Sequence, residues 1–182
     1  MALYYQRVGD YDNALAQYRM LLEQNDTRPE VHNNLGLLYR DRGNQSGAQT
    51  EFERALTIDP RYVKAHNNLG VLHLAAGRLD QAGAELRKAL AIDARNVESL
   101  VNLALVERGA GRMPEARDLL ERAVALAPQS AGPHYNLAVV ADDSGDSATA
   151  VQHYRTFLRL GTITNPDLAA RVRSRLSALG AS

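Results

Sequence analysis

The chain has 182 residues, and its 21 basic side chains are balanced by 21 acidic ones, with no cysteine. Zero net charge gives no pull toward nucleic acid or an anionic membrane, and the lack of cysteine excludes disulfides, thiolate metal sites and a cysteine nucleophile. No apolar run reaches the roughly 18 residues of a membrane span, no basic-then-apolar leader opens the chain, and the abundance of Ala and Leu favours helix.

Residues 1–28 carry Tyr5, Gly9, Ala14 and Tyr18. Each of these starts a series. Gly9, Gly43, Gly77, Gly111 and Gly145 stand 34 residues apart, as do Ala14, Ala48, Ala82, Ala116 and Ala150. Tyr18, Phe52, Leu86, Leu120 and Tyr154 keep the same step, and so do Leu35, Leu69, Leu103 and Leu137, each followed by Gly or Ala. Such a period marks a repeat array.

The next segment, 29–62, shows what one unit builds. Val31, Leu35, Leu38 and Tyr39 have helical spacing, and Gly43 then ends the helix. Over 45–58, Ala48, Phe52, Ala55 and Leu56 form the buried side of a second helix, which Pro60 stops. Small Gly36 and Ala48 allow close approach, so the unit is a helical hairpin. Leu35-Gly36, Tyr39, Gly43, Ala48, Phe52, Ala55 and Pro60 together resemble the tetratricopeptide repeat (TPR) pattern. Later units depart from it, with Glu107 and Ala141 in place of the aromatic and Ala94 in place of a closing Pro.

The resemblance covers residues 1 to about 162. It implies an all-α right-handed solenoid of stacked hairpins with a terminal capping helix. The expected divisions are a partial repeat over 1–28, full repeats over 29–62, 63–96, 97–130 and 131–164, and a cap over 165–182. The first hairpin is short, so the chain is expected to be a fragment, with Tyr4, Leu15, Tyr18 and Leu22 incompletely covered. In the cap, Asn165-Pro166 reads as an N-cap and first-turn proline. Leu168, Val172, Leu176 and Leu179 then form its apolar stripe.

The first helix of each hairpin lines the concave face, by the same resemblance. Opposite the buried side lie Glu30, Asn33, Asn34 and Leu37, then Lys64, Asn67, Asn68 and Val71. The next two helices place Glu98, Val101, Asn102 and Leu105, then Tyr135, Asn136 and Val139, on that stripe. Asn34, Asn68, Asn102 and Asn136 make a ladder, and Leu37, Val71, Leu105 and Val139 an apolar row. A carboxamide both donates and accepts, which suits an extended peptide backbone. A similar ladder in the TPR superhelix of O-linked N-acetylglucosamine transferase implies the same use. Two other readings stay open: the ladder braces adjacent hairpins, or it records duplication alone.

Other chemistry is weaker. His32, His66 and His134 share the period but stand too far apart to ligate one metal, so packing is expected. Asp142, Asp143 and Asp146 read as a solvated turn with Asp146 as N-cap. Arg171, Arg173 and Arg175 give the last helix a basic side. Phosphate loops, zincin motifs and nucleophile elbows are absent from the sequence. The family's two-carboxylate clamp would fall on Asn33, Leu37, Asn68, Glu98 and Asn102, of which only Asn68 suits it.

The sequence thus implies a non-catalytic scaffold without cofactor or metal, whose partner is an extended protein segment. Alternatives are the substrate-recruiting arm of a larger glycosyltransferase, or a scaffold that self-associates through its truncated N-terminal edge. The expected compartment is the cytoplasm, or the periplasm if the full-length protein carries a signal or anchor.

Overall fold

The structure, a computed structural model, describes residues 1–161 and 166–181. Among them are eleven helices and no strand. They fall into two compact units, residues 1–94 and 95–182.

In the first unit, α1 (Ala2–Arg7) pairs with α2 (Tyr11–Gln24), α3 (Pro29–Asp41) with α4 (Gln45–Ile58), and α5 (Val63–Ala75) with α6 (Leu79–Ile92). A glycine at positive φ closes the first helix of each pair, at 78° in Gly9, 76° in Gly43 and 73° in Gly77. A side chain there would be strained, which is why this series does not vary. Asp10 and Asn44 then cap α2 and α4, accepting from the amides of Asn13 and Gly47.

The small residue after each recurring leucine sets the spacing within a hairpin. A Cβ on Gly36 would stand 2.6 Å from the Phe52 ring, and one on Gly70 would stand 2.6 Å from Leu86 Cγ. Phe52 and Leu86 are fully buried against these glycines. Burial of a side chain of that size stabilises by about 1.5–3 kcal/mol. Phe52 and Ala48 also pack with Leu69 and Leu72, so the second helix of one hairpin shares a core with the first helix of the next.

The opening hairpin is less well covered. Leu3, Tyr4, Val8 and Met20 are each more than half exposed. Tyr18, expected to lack cover, is instead buried, and its hydroxyl donates to Gln6 at 3.2 Å. Leu15 and Leu22 are partly buried against the same cluster.

The second unit contains α7 (Val97–Gly109) with α8 (Met113–Leu126) and α9 (Ala131–Asp143) with α10 (Ser147–Gly161), followed by α11 (Pro166–Ala178). Ala104 and Ala138 stand where the first unit has Gly36 and Gly70. The apolar side of α11 carries buried Val172 and Leu176, which join the core built by Tyr154 and Phe157 of α10. Leu168 and Leu179 pack at its margin. The capping helix therefore covers the last hairpin. Its expected N-cap, Asn165, lies outside the described residues.

Candidate functional site

In the first unit α3 and α5 place their stripes side by side. Asn34, Asn68, Leu37 and Val71 are half-buried, while Lys64 is exposed. Asn33 and Asn67 depart from the outward placement expected of them: they are 2% and 6% exposed. The Asn68 amide donates to Asn33 Oδ1 at 2.8 Å, joining α5 to α3. The partner of residue 33 is thus residue 68, one repeat plus one residue further on. Gln6 Nε2 makes the same step, donating to Asp41 Oδ2 at 3.2 Å.

In the second unit Val101, Asn102, Leu105, Tyr135, Asn136 and Val139 are all half-buried on α7 and α9. Asn136 Nδ2 donates to the Gly132 carbonyl at 3.0 Å, which leaves its side-chain oxygen for another donor. Arg108 Nε donates to Asp143 at 2.6 Å, again a 35-residue step between first helices.

Beside these residues is a cleft of about 430 Å³ whose far wall is α11. Tyr135, Asn136, Val139 and Asp142 of α9 form one side, and Leu168, Arg171, Val172 and Arg175 of α11 form the other. Asp142 accepts two hydrogen bonds from Arg175, at 2.7 and 2.6 Å, and a third from the Tyr154 hydroxyl at 3.2 Å. The guanidinium bonds hold the Asp142 carboxyl below its ordinary range, against the opposing effect of burial. The Tyr154 hydroxyl is pushed up, first by burial and then by the adjacent carboxylate. The solvated turn expected at Asp142, Asp143 and Asp146 is therefore corrected. All three are ion-paired to neighbouring helices, Asp142 to Arg175, Asp143 to Arg108 and Asp146 to Arg117, and Asp146 also caps α10 as expected, accepting from the Thr149 amide.

The periodic histidines form straps rather than ligands. His32 Nε2 meets the Asp26 carbonyl and its Nδ1 meets Glu51, at 3.0 and 2.7 Å. His66 repeats this with Pro60 and Glu85, at 3.0 and 2.7 Å. Each strap ties a second helix to the loop that enters its hairpin. Bonds from Lys88 and His66 hold the Glu85 carboxyl below its usual value although burial opposes them. Among the described residues no group of three or more His, Asp or Glu is arranged to hold a metal ion.

Glu107 was expected in place of an aromatic, but the pairing that holds it and His73 in the core escaped sequence reasoning. At the register of Tyr39 stand His73 and Glu107, both buried. Arg78 reaches back over the Gly77 turn to His73 Nδ1 at 3.1 Å, and Arg112 pairs with Glu107. Burial, and then the Arg78 cation, push the His73 imidazole below its ordinary value. The signal lay in the arginine five residues after each polar residue.

Models described as "Tetratricopeptide repeat" match residues 61–129 and 101–162, and one described as "TPR repeat" matches 36–77. Photosystem I assembly protein Ycf3 of Prochlorococcus marinus is 46% identical over 43 residues, which span 24% of this chain and 25% of that protein. The match thus spans about a quarter of the length of that relative. Among solved structures, a thermophilic TPR protein in Thermus thermophilus is similar with a TM-score of 0.81, at 23% identity over 96% of this chain and 95% of that one. Pseudomonas aeruginosa pilF gives 0.80, at 21% identity over 98% and 88%. YrrB, a TPR protein with an unusual peptide-binding site, gives 0.69, at 19% identity over 95% and 88%. At these identities the likeness speaks for the fold.

Proposed function

The chain belongs to the tetratricopeptide repeat family, and on that basis we propose that it is a non-catalytic scaffold that holds an extended segment of a partner protein against its first helices. The repeats of this family are protein–protein interaction modules. The observation that carries the reading is the position of Leu37, Val71, Leu105 and Val139, apolar in every full repeat and only partly buried in each. Leu37 and Val139 pack against neighbouring core clusters on one side, and the part of each that stays accessible leaves apolar surface open to a partner. A partner side chain seated there would complete its burial. The ladder beside it serves as both brace and reader. Asn68 spends one N–H on Asn33 and Asn136 one on its own helix, and the remaining amide functions suit a peptide backbone. Asn34 offers its whole carboxamide.

Selection of a phage-displayed random-peptide library on the protein, followed by calorimetry with the selected peptides, tests the reading. Leu105→Arg and Asn34→Ala should both weaken those peptides while the fold survives. Peptides that bind both variants as tightly as the parent overturn it.

A second reading, assembly with further copies of the chain, is favoured by exposed Leu3, Tyr4, Val8 and Met20 on the first hairpin. Light scattering against concentration, with Tyr4→Glu as control, tests it. A monomer at every concentration removes it.

A further inference from the structure

The spacing of the apolar row bears on the backbone conformation of the proposed partner segment. Leu37 and Val71 stand at one register, 34 residues apart, as do Leu105 and Val139. Each pair is therefore separated by one step from a first helix to the next. Within each unit these first helices approach closely: Cα atoms of α3 and α5 come within 8 Å of each other, as do those of α7 and α9. The Asn68–Asn33 and Arg108–Asp143 bonds span the same two gaps. Helices packed in this way have axes about 8–10 Å apart, and that is the distance from one apolar rung to its neighbour.

Three peptide conformations meet that distance differently. A β-strand returns a side chain to the same face after two residues and about 6.6 Å, while its third residue, at about 10 Å, points the other way. An α-helix returns to one face after seven residues and about 10.5 Å, but its N–H and C=O groups are spent on one another and leave a ladder of carboxamides little to bind. A polyproline-II segment turns once in three residues, rises about 9.3 Å in doing so, and makes no internal hydrogen bonds. Of the three, only this one fits both the rungs and the ladder. Asn34 and Asn68 repeat at the same step as Leu37 and Val71, so one carboxamide meets one turn of bare backbone. The second unit adds an aromatic face. Half-buried Tyr135 of α9 is held against Phe157 and Tyr154, at 5.2 and 6.4 Å between ring centroids. Aromatic side chains line the grooves that bind proline-rich segments.

We propose that the partner segment is bound as a polyproline-II helix, with an apolar side chain at every third residue seated on successive rungs and proline favoured between them. The inference rests on the groove reading above.

Three synthetic peptides of equal length, blocked at both ends, test it by calorimetry. The first repeats Leu-Pro-Pro. The second has the same residues reordered so that leucines stand two apart, and the third has glycine for every proline. The first should bind about tenfold more tightly than the second, because leucines two apart miss their rungs. It should bind about threefold more tightly than the third, because glycine restores freedom that binding must remove. Leu105→Arg, with Val71→Arg as a second variant, should erase the preference. Equal affinities for the first two peptides, tighter binding of the second, no binding of the first, or a preference that survives both variants overturns the inference. Library-selected peptides that depend on Leu105 and Asn34 should carry apolar residues three apart. If they carry them two or seven apart, the inference falls and the groove reading stands. If they ignore Leu105→Arg and Asn34→Ala, both fall.

Discussion

His134 and His153 face each other through their Nδ1 atoms at 2.9 Å, in the register where His32 and His66 face the carboxylates of Glu51 and Glu85. His134 Nε2–H donates to the Pro128 carbonyl, so its Nδ1 accepts the bond from His153. In the remaining hairpin both positions are leucine, Leu100 and Leu119. The two positions are therefore filled in three ways: histidine with carboxylate, two leucines, and imidazole on imidazole. Only the last suffers when a second proton arrives, and Arg117 and Glu121 of α8 are the other charges acting on His153.

That difference predicts which unit yields first to acid. Burial, and then His134, push the His153 imidazole below its ordinary 6.5. The unfolded chain then binds more protons than the folded one, so stability contributed above that value is lost as pH falls below it. Glu85 is also depressed, from an ordinary 4.5, so its contribution holds until pH falls below that lower range. Urea unfolding followed by hydrogen exchange at about pH 5.5 and about pH 7.5 should show α9 and α10 weakened at the lower value and α7 and α8, which carry no histidine, unchanged. His153→Glu, which recreates the strap of the other hairpins, should abolish the difference. Equal losses in the two pairs would contradict this.

Removing the Asn68 amide exposes the cost of its bond to Asn33. Ala is the better helix former, so propensity alone predicts that Asn68→Ala stabilises. The buried Asn33 oxygen would lose its donor, however, and destabilisation of about 1–3 kcal/mol should win. Adding Asn33→Leu should recover part of the loss, because the orphaned acceptor goes with it. A double-mutant cycle by denaturant unfolding measures this. Additive losses would mean that the two residues do not interact.

The cap should answer to Asp142. Asp142→Ala removes the acceptor of both Arg175 bonds and of the Tyr154 hydroxyl, and should cost about 1–2 kcal/mol after allowance for the half-exposed guanidinium. The loss should appear as faster amide exchange in residues 166–178, with α7 and α8 unaffected. Uniform acceleration through the second unit would argue against a separately loosened cap.

Two substitutions compare packing directions. Leu103→Ala opens a cavity beneath α7 and should cost about 2–5 kcal/mol. Gly70→Ala adds a single methyl group yet forces Leu86 to move, so it should cost about 1–3 kcal/mol despite the gain in helix propensity. Leu168→Ala, at the half-buried margin of α11, should cost less than either. Thermal melts rank the three, and a larger loss at Leu168 would contradict the order.

Much of the fold was legible because the glycine and alanine series repeat at 34 residues and only one hairpin register satisfies both. The stripe was legible less well. A single helix suggests one covered side and one open side, which put Asn33 and Asn67 in the open. Within a stack a first helix is covered by its own partner, by the preceding second helix and by the neighbouring first helix, and the covers from other hairpins are invisible to the periodicity of one segment. The link from Asn33 to Asn68 or from Arg108 to Asp143 appears only on stepping 35 residues rather than 34. Asp142 was misplaced for a related reason, since Arg175 meets it from a helix outside the repeat.

The 35-residue links also bear on how such a chain grows. Two residues adjacent in sequence become partners in space once a unit is copied. A tandem duplicate of residues 29–62 would bring its own Asn34 to the original Asn33 and its own Asp41 to the original Arg40. A duplicate of 63–96 would offer Ala75 to Leu74 at the second of these points. The hairpin at 29–62 therefore carries both halves of its own polar joints, and lengthening by copying it needs no compensating substitution.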